Sequence, residues 1–363
     1  MKTRIWFIAA FLFLVFEWLR VYFIMPMPGS QQWNTLDFAY WLHVNRWIVR
    51  IALMLAMIYS LKEVWKSNIK SAIAFMFLIS ISVYLTNFPM NADHMFLKMG
   101  KIKFETVQKN KIDSNRLVLG VVFENQARAY PINILAHHHQ VLDTLDKSHP
   151  ILATYCSVCR TGMIYQSPVK NGSTEVFRLV GMDHFNAMFE DELTGSWWQQ
   201  ATGEAVTGSR KGEQMKIIPA VQTTLKLWLA QFPNSLILQE DPDFTRKYRR
   251  LDAYDKGDLK TDLLRREVGK SHPKNWVAWI RYQGEIKAYK WDHLEKRNWI
   301  IDSIGNNYYM VASPDHKSLY AFEIDKSQLK LQYSANEIDE LRKISKQIES
   351  HQEFRHSFEY FQK

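Results

Sequence analysis

The amino-acid sequence predicts an N-terminal region of transmembrane α-helices followed by a mainly β, α+β extracytoplasmic domain containing an internally duplicated hairpin, turn and strand unit. Three observations lead there. Long apolar runs are confined to residues 1–91, β-rich runs broken by turns dominate from about Arg116 onward, and one block of residues recurs at a fixed offset. The division is a membrane region over 1–91, a β-rich domain over 92–335 with repeat units near 116–166 and 275–325, and a C-terminal amphipathic helix over 336–363.

Ile5 to Ile24 is apolar and aromatic apart from Glu17 and Arg20, and Ser71 to Phe88 carries no charge. Each approaches the roughly 20 residues that cross a hydrocarbon core. Trp41 to Leu61 is a weaker third span, because Arg46 and Arg50 lie in its first half, although an arginine near a helix end reaches the interface by extending its side chain. Lys2 and Arg4 before the first span, with Lys62, Lys66 and Lys70 before the last, mark the cytoplasmic side and put the large domain outside it. That assignment depends on parity: without the middle crossing the domain is cytoplasmic. No small-residue cleavage site follows Ile24, so the first segment reads as an anchor and not a signal peptide. The net charge of +9 is scattered and accompanied by no nucleic-acid motif, which fits a surface facing anionic lipid and argues against a nucleic-acid partner.

In the β-rich part, Leu117 to Phe123 and Ala127 to Tyr130 flank a Glu-Asn-Gln turn, and Val277 to Tyr282 and Ile286 to Tyr289 flank Gln283-Gly284, so both read as hairpins. Tyr130 and Tyr289, Leu135 and Leu294, and Asp143 and Asp302 are each 159 positions apart, which marks the repeat. Between the copies, Leu225, Trp228, Leu229 and Phe232 have helical spacing and stop at Pro233-Asn234, predicting a helix over 223–232. Asn336 caps the expected C-terminal helix, which runs through Leu341 and Ile344 to Ile348. Glu240 to Lys274 is charged and aperiodic and reads as a long, partly mobile surface excursion.

The chemistry concentrates at Cys156 and Cys159, the only 2 cysteines, within Thr154-Tyr155-Cys156-Ser157-Val158-Cys159-Arg160-Thr161-Gly162 and downstream of His137, His138 and His139. A C-x-x-C turn holds two thiolates within a few Å, as dithiol redox and metal binding both require. At the repeat offset Cys156 falls opposite Asp315, Cys159 opposite Ser318 and His138 opposite Arg297. The framework repeats while the candidate ligands do not, which favours a site over a staple. Inert buried thiols or a local disulfide are the plainer reading of the same pair.

The run Ala129-Tyr130-Pro131, Ile134-Leu135, His138, Asp143, Thr154-Tyr155-Cys156, Cys159, then Thr194-Gly195-Ser196, Trp198, Gln200, Gly203 and Gly208 resembles the bacterial domain-of-unknown-function 3179 family over roughly Arg116 to Phe244. The resemblance implies a bacterial protein, so that the apolar segments, which lie outside the match, would sit in a bacterial cytoplasmic membrane; it selects His138 among the three histidines, but it brings no established activity. Several positions depart from the family pattern: Ser157 stands for proline, Arg160 for glycine, His139 for glutamate, Leu142 for asparagine and Glu192 for arginine.

Thioredoxin-like activity is disfavoured, because no βαβ pattern surrounds the cysteines and the run after Cys159 reads as a turn into a strand. Arg160 occupies the place where haem attachment requires histidine, and no nucleotide, dinucleotide or serine-hydrolase motif appears. The expected function is transition-metal binding through Cys156, Cys159 and His138, copper before zinc, since thiolate, imidazole and thioether suit Cu(I) and Met163 lies nearby in sequence. Zinc needs four ligands, drawing in neighbouring histidines, Asp143 or the second half. The alternatives are an extracytoplasmic dithiol that cycles to a disulfide, and a binding or assembly module with a structural disulfide. Asp143, Asp191, Ser196, Trp198 and Gln200 are candidate pocket residues, against a half-buried strand reading for Ser-Trp-Trp-Gln.

Overall fold

The computed structural model describes residues 2–123, 126–145, 148–170, 173–251 and 275–362 and divides into two compact units. One comprises Met1–Leu97, Phe177–Trp198 and Ala205–Gly212; the other comprises Lys98–Val176, Gln199–Glu204 and Glu213–Lys363.

The first unit begins with helices α1 (Lys2–Tyr22), α2 (Leu36–Val44), α3 (Arg46–Ser67) and α4 (Ile69–Asn87). Trp6, Ala9, Ala10 and Phe13 recur at helical spacing along α1 and bury against Met57 and Val64 of α3 and Ala72 and Ile79 of α4. The charges that interrupt the apolar runs meet one another. Arg50 grips Glu17 through Nε at 2.6 Å and Nη2 at 2.8 Å, Arg20 reaches the same carboxylate at 3.0 Å, and Thr86 donates to it at 3.1 Å. A carboxylate that would be costly in an apolar bundle is thereby paired and hydrogen-bonded. Among the described residues two helices, Lys2–Tyr22 and Ile69–Asn87, are long and apolar enough to cross a membrane. The expected middle span is divided at Asn45 between α2 and α3, and α3 carries Arg46, Arg50, Lys62, Glu63 and Lys66.

The same unit contains a four-stranded sheet in the order Ala205–Thr207, Trp197–Gln199, Asn186–Asp191, Phe177–Asp183. The sequence had assigned this segment to the β-rich domain. Its buried face, Val180, Met188 and Trp197, instead packs with Ala39, Phe23 and Tyr40 from the helical part, a pairing that strand periodicity alone does not identify.

The second unit is mainly β. A five-stranded sheet runs Phe104–Glu105, Leu236–Leu238, Gln126–Pro131, Leu117–Phe123, Ala220–Thr224, with only Leu236–Leu238 parallel to its Gln126–Pro131 neighbour. The expected first hairpin is present as Leu117–Phe123 with Gln126–Pro131, although part of its turn lies outside the described residues. A short helix, Ile132–His138, then leads into a meander of Gln140–Leu145, His149–Cys156 and Thr161–Gln166. The order returns as Trp276–Tyr282, Glu285–Lys290, helix Trp291–Arg297, and a meander of Trp299–Ile304, Asn307–Ala312 and Tyr320–Ile324. The starts Leu117 and Trp276, Gln126 and Glu285, Ile132 and Trp291, Gln140 and Trp299, and Thr161 and Tyr320 are each 159 positions apart.

Each hairpin is tied to its meander by one carboxylate. Asp143 accepts from Arg128 at 2.7 Å and from the Tyr130 hydroxyl at 2.6 Å; Asp302 accepts from Lys287 at 3.0 Å and from the Tyr289 hydroxyl at 2.9 Å.

Two expectations need correction. The C-terminal segment 336–363 is not one helix: Ala335–Ile344 is helical, Glu349–Phe354 is a strand paired with Trp276–Arg281, and Arg355–Phe361 is a second helix. A Ser334–Glu337 capping box starts the first helix, whereas Glu349 and Glu353 take Arg281 and Trp279 as partners on a distant strand and His351 bonds Glu349 within its own strand. Within the expected excursion at 240–274, Thr245–Arg249 is helical and Tyr248 is fully buried, while 252–274 lies outside the described residues.

Asp143 and Asp302 make matched contacts in unequal surroundings, with side-chain exposures of 10% and 36%. Asp143→Ala leaves the buried Tyr130 hydroxyl and Arg128 without their acceptor and is expected to cost about 2–4 kcal/mol. Asp302→Ala is expected to cost about 1 kcal/mol. Urea unfolding of the two variants in the full chain, followed by tryptophan fluorescence, checks the order.

Candidate functional site

Cys156 ends the strand His149–Cys156 and pairs across the turn with Thr161, so the C-x-x-C run forms the connection between two strands. The Arg160 N–H donates to the Cys156 carbonyl at 2.8 Å and closes that turn. Arg160 has φ 60, in the left-handed region that favours glycine, the residue the family pattern carries there. Its buried guanidinium lies over the Phe354 ring, 5.8 Å from the centroid.

Both cysteines are buried, and no disulfide joins them. The Cys159 N–H donates to Cys156 Sγ at 3.4 Å, a contact that favours the thiolate. Cys159 Sγ lies 3.5 Å from Nε2 of His356, a fully buried residue on the last helix. Beside them, Glu353 Oε2 accepts from the Thr161 hydroxyl at 2.7 Å and Oε1 accepts from the Trp279 indole at 2.7 Å. Burial pushes the Glu353 carboxyl up, against the pull of these donors. The C-terminal strand thus delivers an imidazole and a carboxyl group to the thiols, and the Phe354 N–H bonds the Cys159 carbonyl at 2.9 Å.

The histidine run divides its roles. His138 Nε2 is 2.6 Å from the Tyr248 hydroxyl, and its ring packs against Phe244 and Tyr248. His139 caps its helix at φ 62 and sets Nε2 3.3 Å from Ser157 Oγ, inside the C-x-x-C turn. Burial holds its imidazole down at about 4, so it is neutral at physiological pH. Among the described residues, no group of three or more His, Cys, Asp or Glu side chains is placed to hold a metal ion.

The pocket candidates do not gather at one place. Asp143 is the hairpin tie described above. Asp191 accepts from the Thr194 N–H at 2.6 Å and the Trp198 indole at 2.8 Å, and Ser196 Oγ lies 2.7 Å from Thr194 Oγ1, so these side chains build the Asp191–Ser196 turn and seat a buried Trp198. Gln200 alone reaches the thiol strands: its Nε2 donates to Thr154 Oγ1 and to the Thr161 carbonyl, both at 3.0 Å. Tyr165 donates to the Gln200 carbonyl at 2.7 Å, and Gly203, at φ 74, lets the Tyr165 ring approach where a Cβ would lie 2.4 Å from it.

Sequence reasoning missed His356 and Glu353. Their segment was expected to be helical, and neither the two histidines nor the two glutamates of Glu349–His356 fall into a motif that points back to Cys156 and Cys159.

The class these features define is a mainly β protein with a buried thiol–imidazole pair, preceded by helices long and apolar enough to span a membrane. Residues 99–359 match the family model described as "Protein of unknown function (DUF3179)", and the chain belongs to that family. No curated protein and no solved structure matches it.

The depressed His139 imidazole makes stability depend on pH. The unfolded chain takes up a proton near the ordinary value of 6.5 that the folded site refuses until about 4. The contribution is complete above the unfolded value and is lost as pH falls through that window, by up to about 3 kcal/mol. Glu353, whose carboxyl is raised, acts in the opposite sense, so the informative quantity is the difference between wild type and His139→Asn. Asparagine tolerates this backbone, as Asn298 does at φ 63. Urea midpoints of both proteins at pH 7 and pH 5 should converge toward the acid end.

Proposed function

We propose that this chain is a membrane-anchored extracytoplasmic dithiol protein in which Cys156 and Cys159 exchange with disulfides of a partner protein. The observation that carries the reading is the 3.5 Å contact between Cys159 Sγ and His356 Nε2, in a C-x-x-C turn whose Cys156 Sγ already accepts the Cys159 amide. Cys156, whose thiolate that amide favours, attacks one sulfur of the partner disulfide and forms a mixed disulfide, releasing the other sulfur as a thiolate. His356 takes the Cys159 proton, and the Cys159 thiolate then attacks Cys156. The products are the Cys156–Cys159 disulfide and a reduced partner, with two electrons transferred.

The membrane reading is supported by the outer faces of the helices. Ile8, Phe11 and Leu12 of α1, Trp47, Ile48, Ile51, Leu55 and Ile58 of α3, and Ile73, Phe77 and Ile81 of α4 are all exposed. Apolar area of that kind on three neighbouring helices fits lipid better than water. With α3 taken as a third crossing beside the two helices that are long and apolar enough, and the lysine-rich ends inside, this reading has the thiol domain outside the cytoplasm, where dithiol exchange is common chemistry. The recurrent 159-residue offset of helices, strands and carboxylate ties supports the internal duplication, with the thiols added to the first copy.

A second reading is favoured by the donor set itself. Two sulfurs and an imidazole are of a softness that suits Cu(I), and binding through Cys156, Cys159 and His356 would require the three side chains to draw together, since they are not placed as a metal-holding group.

One experiment on the full chain in detergent separates the two. It is purified without chelator, assayed for metal, and equilibrated in glutathione buffers with the thiol state read by alkylation and mass. The dithiol reading expects a reversible Cys156–Cys159 disulfide with a potential above about −300 mV, and disulfide closure slowed about tenfold or more by His356→Ala. Near-stoichiometric copper that disappears in Cys156→Ser/Cys159→Ser, with thiols that glutathione disulfide does not oxidise, would replace it with the metal reading.

A further inference from the structure

The two hairpin, helix and meander blocks differ in what lies over their short helix. In the first, Phe244 and Tyr248 close over Ile132–His138: the Phe244 ring centroid is 4.9 Å from that of His138 and 5.4 Å from that of His137, and the Tyr248 hydroxyl is 2.6 Å from His138 Nε2. Ile134, His137, His138 and Val141 are all buried there. The positions 159 further on are His293, Lys296, Arg297 and Ile300. Nothing comparable lies over these among the described residues: the first three are exposed and Ile300 is half-buried.

These four side chains line a groove of about 710 Å³ together with Trp299 and Leu331, and Leu331 is 97% exposed. Among the described residues no carboxylate lines it and neither Lys296 nor Arg297 has an acidic partner, whereas Lys330 beside them is held by Glu337 at 2.6 Å. Apolar surface next to an unneutralised ammonium and guanidinium suits an occupant that brings aromatic rings and carboxylates together. The cover on the first block shows the form of such an occupant, a short helical turn with two rings four positions apart. We propose that the groove docks a segment of a partner protein, a helical turn that carries two aromatic side chains four positions apart among carboxylates. Its rings lie on Trp299, Ile300 and Leu331, and its carboxylates pair with Lys296 and Arg297. The correspondence between the blocks rests on their matched element starts and takes nothing from the thiol chemistry.

The probe is a fluorescein-labelled peptide copied from Glu240–Leu251 with Arg246, Lys247, Arg249 and Arg250 each replaced by glutamate, which keeps Phe244 and Tyr248 and makes the segment acidic. Its fluorescence polarisation is read against the full chain in a nonionic detergent. Saturable binding is expected, weakened about tenfold or more by Lys296→Glu/Arg297→Glu and equally by alanine at the two aromatic positions of the peptide. Both substituted lysine and arginine side chains are exposed, so the variant should keep the wild-type Tm. Leu331→Asp, at an almost fully exposed position, is a second variant that should weaken binding in the same way. No binding, undiminished binding to the variants, or equal binding of the alanine peptide or of the unaltered basic segment overturns the proposal. Binding of dodecyl phosphate but not of the peptide, lost in the same variants, assigns the groove to an anionic lipid and overturns the protein partner. Self-association that the double variant abolishes, without peptide binding, assigns it to a second copy of this chain and overturns the partner likewise.

Discussion

The candidate site depends on the docking of one polar strand. Glu349–Phe354 adds to the second hairpin by pairing with Trp276–Arg281, and its last residue donates to the Cys159 carbonyl at 2.9 Å. Of the groups around the thiols, Glu353 arrives near the end of that strand and His356 on the helix that follows. The separation is large, since Cys159 and His356 are 197 positions apart, but closure entropy grows only logarithmically with length. A six-residue ladder and the stacking of Trp279 on His351 at 4.4 Å therefore hold the contact once it forms.

The helical unit is governed by the same rule that buried polar groups require partners. In sequence, Glu17, Arg20, Arg46 and Arg50 look like flaws in apolar helices. In space, Glu17 and Arg50 sit fully within reach of each other, and Asn87 accepts from Arg50 at 3.1 Å and from Arg20 at 3.3 Å. These charges set the register of α1 against α3 and α4, because sliding either helix by a turn would strand a carboxylate or a guanidinium.

Legibility in the sequence follows the range of the interactions. The two hairpins, the helix at Leu225–Gln231 and the apolar helices were visible because alternation, helical spacing and turn residues are local signals. The C-terminal strand was not visible: Glu-Ser-His-Gln-Glu-Phe has no apolar alternation, and its burial is compensated by Trp279, Thr161 and Arg281, which lie far away in sequence. The thiol pair was legible as a motif, but its histidine was not. The family resemblance pointed to His138, whose ring nitrogen is engaged by Tyr248, while the imidazole beside Cys159 comes from the last helix.

The departures from the family pattern also make physical sense together. His139 stands where the pattern has glutamate and Ser157 where it has proline, and the two side chains meet at 3.3 Å across the helix end and the thiol turn. Replacing proline restores a backbone N–H and adds a hydroxyl, while replacing glutamate with a neutral, buried imidazole removes a charge beside the thiols. Arg160 works against its backbone, holding a left-handed conformation that glycine adopts without strain. What it brings is a guanidinium buried against Phe354, on the strand that carries Glu353 to the site. In this chain the thiol turn is thus surrounded by the Arg160 guanidinium, the neutral His139 imidazole and the buried Glu353 carboxyl, two of them held by contacts that reach the C-terminal strand.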